Sequence, residues 1–205
     1  MSSTTVHHEE HRDDTASKMG MWLFIFTELL LFGGLFIVYS VYRYLNSEAF
    51  HLAAQQLDVK IGTINTVILL TSSMTIAMST TAIQKKDKRT TLILIGITIL
   101  LALGFLVNKY FEWGTKIGHG LYPGSPFLEE LGRGDILFFG LYFFMTGLHA
   151  LHIIVGMVFL SFVFVFVLKG RLTFDNFQLL ENGGLYWHLV DIIWIFLFPL
   201  FYLIT

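Results

Sequence analysis

The chain has 205 residues, 55% of them hydrophobic and 14% charged, with 21 Phe and a mean hydropathy of +0.68. Soluble domains carry roughly 25% charged residues, so the composition indicates a membrane protein. The formal net charge of −2 argues against nucleic-acid binding, and the absence of cysteine excludes disulfides, thiolate zinc sites, iron–sulfur clusters and a cysteine-bridged copper centre.

Residues 1–18 are polar and include His7, His8, Glu9, Glu10 and His11. They lack the basic start and short apolar run of a cleavable signal, and read as a surface tail on the cytoplasmic side. A metal site or a proton-collecting patch made by the histidines is the weaker alternative. Five apolar runs follow, at about 19–42, 61–83, 91–111, 136–168 and 185–204, each long enough to span a bilayer. A backbone in hydrocarbon must satisfy its own hydrogen bonds, and the runs lack the period-two alternation of barrel strands, so they are helices. The fourth is longer than a bilayer requires and must tilt or protrude.

Between the spans, residues 44–60 predict a short interfacial helix, and 113–135, with Gly118, Gly120, Pro123, Gly124 and Pro126, an irregular loop. Lys85, Lys86, Lys88, Arg89, Lys169 and Arg171 fall on the same side as Arg12 and Lys18, giving about eight basic residues there against about five opposite. The expected fold is an all-α, polytopic bundle of five transmembrane helices, forming one domain over 19–205, with its N-terminus cytoplasmic and its C-terminus outside. No internal repeat appears, which weakens a carrier built from inverted halves.

A charge at bilayer depth costs roughly 3 kcal/mol, so each buried polar residue needs a partner or a purpose. Glu28 lies well inside the first span among Phe24, Ile25, Leu31 and Phe32. It reads either as a protonated carboxyl hydrogen-bonded between helices or as a proton or lipid site. His149 and His152 share a face at i, i+3 and read as hydrogen-bonded packing histidines, with haem or metal ligation as the sharper alternative. His188 is expected level with about Val165 in the fourth span, ~20 Å from His152, which disfavours a haem clamp between them. His188 and Asp191 form a second i, i+3 pair, either pinning two helices or relaying a proton. Glu112 and Glu181 read by default as interfacial and are grouped with His149, His152, His188 and Asp191 as packing or hydrogen-bond network residues, and Gly33-Gly34 reads as a packing feature. No nucleophile–base pairing, phosphate loop or three-ligand metal spacing appears, so catalytic residues and a metal site are not expected.

The stretch Trp22-Leu-Phe-Ile-Phe-Thr-Glu28-Leu-Leu-Leu-Phe-Gly-Gly-Leu-Phe36 resembles the glutamate-bearing helix of subunit III of haem-copper oxidases. Thr146-Gly-Leu-His149-Ala-Leu-His152-Ile-Ile-Val-Gly156 and Tyr186-Trp-His188-Leu-Val-Asp191-Ile-Ile-Trp194, the latter preceded by Glu181, resemble two further helices of that family. Asn65-Thr66 and Tyr110-Phe-Glu112 match as well, so the resemblance covers every span in order. The five spans and the histidine-rich tail look like the compact bacterial form, which lacks the two N-terminal helices of seven-span members. The tokens Leu70-Thr-Ser-Ser73, Glu112-Trp-Gly114 and Leu197-Phe-Pro-Leu-Phe-Tyr202 also resemble proteins encoded with nitric oxide reductases.

The resemblance implies a subunit with no redox cofactor of its own in the bacterial cytoplasmic membrane. Haem and copper are then expected in its partners, chiefly subunit I, with subunit II and other small subunits nearby. The subunit would carry phospholipid, help maintain proton uptake and slow turnover-linked inactivation. Glu28 would be the buried carboxylate facing the lipid cleft or the partner, and Lys169 or Arg171 would contact lipid phosphate. A haem-binding anchor and a proton-coupled carrier working through Glu28 are the alternatives from other classes.

Overall fold

The computed structural model describes residues 14–173 and 176–203; the histidine-rich tail lies outside them. Seven α-helices follow one another: α1 (Asp14–Leu45), α2 (Ser47–Ala54), α3 (Val59–Gln84), α4 (Lys88–Gly118), α5 (Pro126–Leu131), α6 (Arg133–Leu168) and α7 (Gln178–Phe198). A π-helical turn, Pro199–Leu203, ends the described chain. Five of the helices, α1, α3, α4, α6 and α7, are long and apolar enough to cross a membrane.

Local chemistry sets the helix ends. Asp58 Oδ1 accepts from the amide of Lys60 at 2.8 Å and caps α3, while Asp87 Oδ1 accepts from the amide of Thr90 at 3.0 Å and caps α4. Pro126 occupies the first turn of α5, and Gly132, at φ 125°, makes the break before α6. Pro199 lacks the amide that an α-helix needs at that point. The wider turn that follows keeps both Phe201 and Tyr202 in the core.

The two ends of the bundle are chemically distinct. At one, Lys18 pairs with Glu181 at 3.4 Å, Asn182 Nδ2 donates to Ser17 Oγ at 3.1 Å, and Lys88 Nζ donates to the Leu168 carbonyl at 2.8 Å. The start of α1, the α3–α4 turn and the α6–α7 loop therefore share this end, as the loop charges predict. At the other, Lys116 Nζ donates to the Gln56 carbonyl, Gly134 of α6 lies against Ala49 of α2, and Tyr39 OH donates to the Leu200 carbonyl at 2.7 Å. Here an aromatic cluster of Tyr39, Phe50, Phe138 and Phe201 has edge-on rings 4.9–5.7 Å apart.

The helices differ in how much they bury. In α7, 56% of the apolar window is buried, against 11% in α1, so α1 turns most of its surface to lipid or a partner. Close contact between α6 and α7 depends on glycine: a Cβ on Gly156 would meet Trp187 and Tyr186 at 2.9 Å, and one on Gly183 would meet Phe159 at 2.7 Å. By contrast, Gly33 and Gly34 have nothing within 4 Å of an added Cβ. They are not an internal packing feature, because α1 presents them to a crevice and to the outside.

The structure moves two further expectations. The segment after Trp113 is largely helical, since α4 runs on to Gly118 and α5 follows. The last span begins at Gln178 rather than near 185, because Gly183 and Gly184 are buried contact points inside the helix and not a turn. That earlier start shifts the register against α6. Gly156 faces Trp187, a Cβ added to Gly183 would lie 3.5 Å from Leu160, and His149 stacks on Trp194. His188 therefore lies level with about Val155, not Val165.

Candidate functional site

Glu28 and His152 join α1 to α6. Glu28 Oε2 lies 3.0 Å from His152 Nε2, and the two side chains are 14% and 13% exposed. His152 Nδ1 lies 2.8 Å from the Leu148 carbonyl. A carbonyl only accepts, so Nδ1 carries a proton, and a second proton is shared across the Nε2···Oε2 contact. Tyr186 OH donates to the His152 carbonyl at 2.9 Å, and Phe32 meets the imidazole edge-on at 5.4 Å. On the bundle face beside this pair, a crevice of about 230 Å³ is lined by Met21, Phe24, Val155, Phe159, Leu179 and Tyr186, among others. A second crevice, of about 190 Å³, runs between Gly33 and Phe36 of α1 and Ile193 and Phe196 of α7.

A stronger cluster lies deeper in the core around Glu112, with Lys109, Tyr142 and Tyr202, which the sequence did not single out, as its partners. Lys109 Nζ donates to Glu112 Oε2, Tyr142 OH and Tyr202 OH, each at 3.0 Å. Tyr142 OH donates to Glu112 Oε1 at 2.7 Å, and Tyr202 OH donates to the same oxygen. The side chains of Lys109 and Glu112 are 3% and 2% exposed. All three ammonium protons and both carboxylate oxygens are thus satisfied, which is what a buried ion pair requires. Glu112 is thus enclosed by protein groups. The ammonium also faces the rings of Tyr142 at 4.9 Å and Trp194 at 5.6 Å. The local signal was Lys109 three residues before Glu112 at the end of an apolar run; the two tyrosines come from distant helices.

The remaining sites are distributed over α3 and α7. His188 Nδ1 lies 2.7 Å from Ser73 Oγ, Trp187 Nε1 donates to Ser72 Oγ at 2.9 Å, and Trp194 Nε1 donates to Thr66 Oγ1 at 3.0 Å. No hydrogen bond joins His188 to Asp191. Asp191 is 3% exposed, and neither of its oxygens has a hydrogen-bond partner. Ser73 lies beside Asp191 as well, with its hydroxyl also within hydrogen-bond distance of His188 Nδ1. His149 packs between Phe105 at 5.6 Å and Trp194 at 5.2 Å, with neither nitrogen bonded. It is a packing histidine, without the hydrogen bond the sequence suggested. Glu181 sits at the boundary, paired with Lys18. Lys169 caps the end of α6, and the Arg171 guanidinium lies 5.9 Å from the Phe166 ring.

Among the described residues, no three His, Asp or Glu side chains are grouped as metal ligands. His152 has both nitrogens engaged, and His149 is enclosed by aromatic rings, so a haem iron reaches neither without parting helices. The architecture is that of a polytopic membrane bundle in which the Glu28–His152 pair and the Lys109–Glu112 cluster join distant elements.

The family model for cytochrome c oxidase subunit III matches residues 2–205. A cytochrome c oxidase subunit 3 from Thermostichus vulcanus is 31% identical over 97% of this chain and 92% of its own length. A probable quinol oxidase subunit 3 from Staphylococcus saprophyticus is 27% identical over 98% and 95% respectively. A protein named heme-copper oxidase subunit I+III, from Aeropyrum pernix, is 31% identical over 91% of this chain, which spans 22% of that longer protein. The chain belongs to the cytochrome c oxidase subunit III family, the third subunit of haem-copper oxidases. Membership implies a complex with subunit I in a membrane.

Proposed function

We propose that the chain is a scaffold within a terminal oxidase that reduces oxygen to water, prolonging the working life of subunit I and supporting its proton uptake. One observation carries this reading. The ionisable pairs Glu28–His152 and Lys109–Glu112 are satisfied within the chain and tie α1 to α6 and α4 to α6 and the terminal π-helical turn. Haem and copper belong, on this reading, to the partner subunits, with subunit II and small subunits completing the complex. The partner named in the I+III relative supports subunit I as the main neighbour.

Phospholipid occupies the crevices beside α1, the helix that carries Glu28. Lys169 and Arg171 are available to lipid phosphate at the basic end, which lies in the cytoplasm by the positive-inside rule. A bacterial cytoplasmic membrane is the proposed location. Removal of the chain from the purified complex tests the reading: the initial rate of oxygen reduction persists, and the enzyme inactivates early during turnover. Full activity with a normal lifetime would contradict it. Nitric oxide reduction by the intact complex at a rate comparable to oxygen reduction would favour the reductase alternative.

A further inference from the structure

Helix α3 is built differently from the other spans. None of the chain's 21 Phe, 8 Tyr or 4 Trp lies within Val59–Gln84, and it is the least apolar of the five. Yet it is no interior helix, since only 33% of its apolar window is buried. Beside Leu70 and other aliphatic residues, the side chains it turns outward include Thr63, Thr71, Thr81 and Ala77, with the thioethers of Met74 and Met78. The exposed faces of α1 and α6 carry Trp22, Phe26 and Leu30, and Phe144, Leu151 and Phe162 instead. Bulky apolar groups suit lipid tails, whereas small residues, threonine and methionine suit the close approach of another helix.

Next to this face, α7 brings a polar group to the surface at bilayer depth. His188 lies ten residues into α7, ~15 Å along the axis from Gln178, and is half-buried. Its Nδ1 faces Ser73 Oγ of α3 at 2.7 Å. No described group of this chain bonds its Nε2, and that nitrogen is not enclosed. Ser73 also lies beside Asp191, a carboxyl 3% exposed whose oxygens lack a hydrogen bond. The row Asp191–Ser73–His188 therefore leads from the interior to one outward ring nitrogen. Hydrocarbon cannot satisfy that nitrogen, and an ionisable group within a span faces protein or water rather than lipid tails.

We propose that subunit I docks on the α3–α7 face, with a hydrogen-bonding side chain of one of its membrane helices on His188 Nε2. Leu70 and Ala77, one turn to either side of Ser73, and Ile192, one turn from His188, are exposed on the same flanks and pack around that bond. The occupant follows from polarity and depth. Lipid tails offer the imidazole nothing there, while a protein helix carries side chains that donate and accept. The inference rests on subunit I being the main neighbour and adds the face and the residue that meet it.

Photocrosslinking of the assembled complex in native membranes tests it, one probe at a time. Met74→p-benzoylphenylalanine and Ile192→p-benzoylphenylalanine capture subunit I on irradiation. Leu151→p-benzoylphenylalanine on α6, which α4 and α7 separate from α3, does not. Capture of subunit I from Leu151 alone would overturn the face and leave subunit I as the neighbour. Capture of another subunit, a second copy of this chain or lipid alone from Met74 and Ile192 would reject subunit I at this face. In the solubilised complex, His188→Leu lowers retention of the chain about threefold, the equivalent of one average interhelical hydrogen bond in a membrane. Ser73→Ala breaks the contact within the chain, leaves Nε2 outward and costs less. Equal losses in the two variants, or no loss with His188→Leu, would contradict the bond to subunit I.

Discussion

Glu28 of α1 and His152 of α6 face each other at 3.0 Å within the membrane-spanning part of the bundle, and His152 already donates its other ring proton to Leu148. The pair therefore shares one proton, whichever partner holds it. Its net charge is zero in either arrangement, which is how two ionisable groups persist at bilayer depth.

Glu28→Gln preserves a hydrogen bond to His152 and is expected to fold and assemble. Glu28→Leu removes it and weakens the attachment of α1 by about 1 kcal/mol, the scale of an interhelical hydrogen bond in a membrane. Glu28→Lys places a cation against His152 and blocks assembly. Blue-native electrophoresis of solubilised membranes checks the series: an assembled lysine variant would show that Glu28 does not meet His152.

Lys109 and Glu112 make a different prediction, because this pair is almost fully enclosed. Lys109→Met leaves a buried carboxylate without its cation and is expected to cost about 3–5 kcal/mol. The double variant Lys109→Met/Glu112→Gln removes both charges and recovers most of that loss. Reversible unfolding in mixed micelles measures the cycle, and additive effects of the two changes would refute the coupling.

The glycines of α6 and α1 separate contact from exposure. Gly156→Val drives a side chain into Trp187 and Tyr186 and destabilises the α6–α7 packing by several kcal/mol, on the order of an overpacked core or more. Gly33→Ala and Gly34→Ala meet no atoms of this chain and are neutral, or gain up to about 1 kcal/mol from helix propensity. Thermal melts of the three variants decide the matter. A damaged assembly with Gly33→Ala and an intact isolated chain would place a partner subunit on that face of α1.

The five spans were legible because long apolar runs in a membrane have one backbone solution, and the sharing of one end by the basic loops followed from charge alone. What escaped the sequence depended on contacts between distant elements. Gly183 and Gly184 look like a turn in one dimension and become the point where α7 meets Phe159 and Leu160. That error displaced His188 by about ten residues along α6. The partners of Glu112 could not be named from sequence, because Tyr142 and Tyr202, which bind it, lie 30 and 90 residues away. Lys109 carries no local sign of the tyrosines that it meets. Likewise, the spacing of His188 and Asp191 put both on one helical face, but could not show that Ser73 of α3 takes the histidine.

The central claim is that this chain maintains the oxidase instead of performing its chemistry. The total number of turnovers completed before inactivation, measured by oxygen consumption with the purified complex containing or lacking the chain, tests it most directly. Near-normal initial rates in both and far fewer total turnovers without the chain are expected. Equal turnover totals in the two preparations would contradict it.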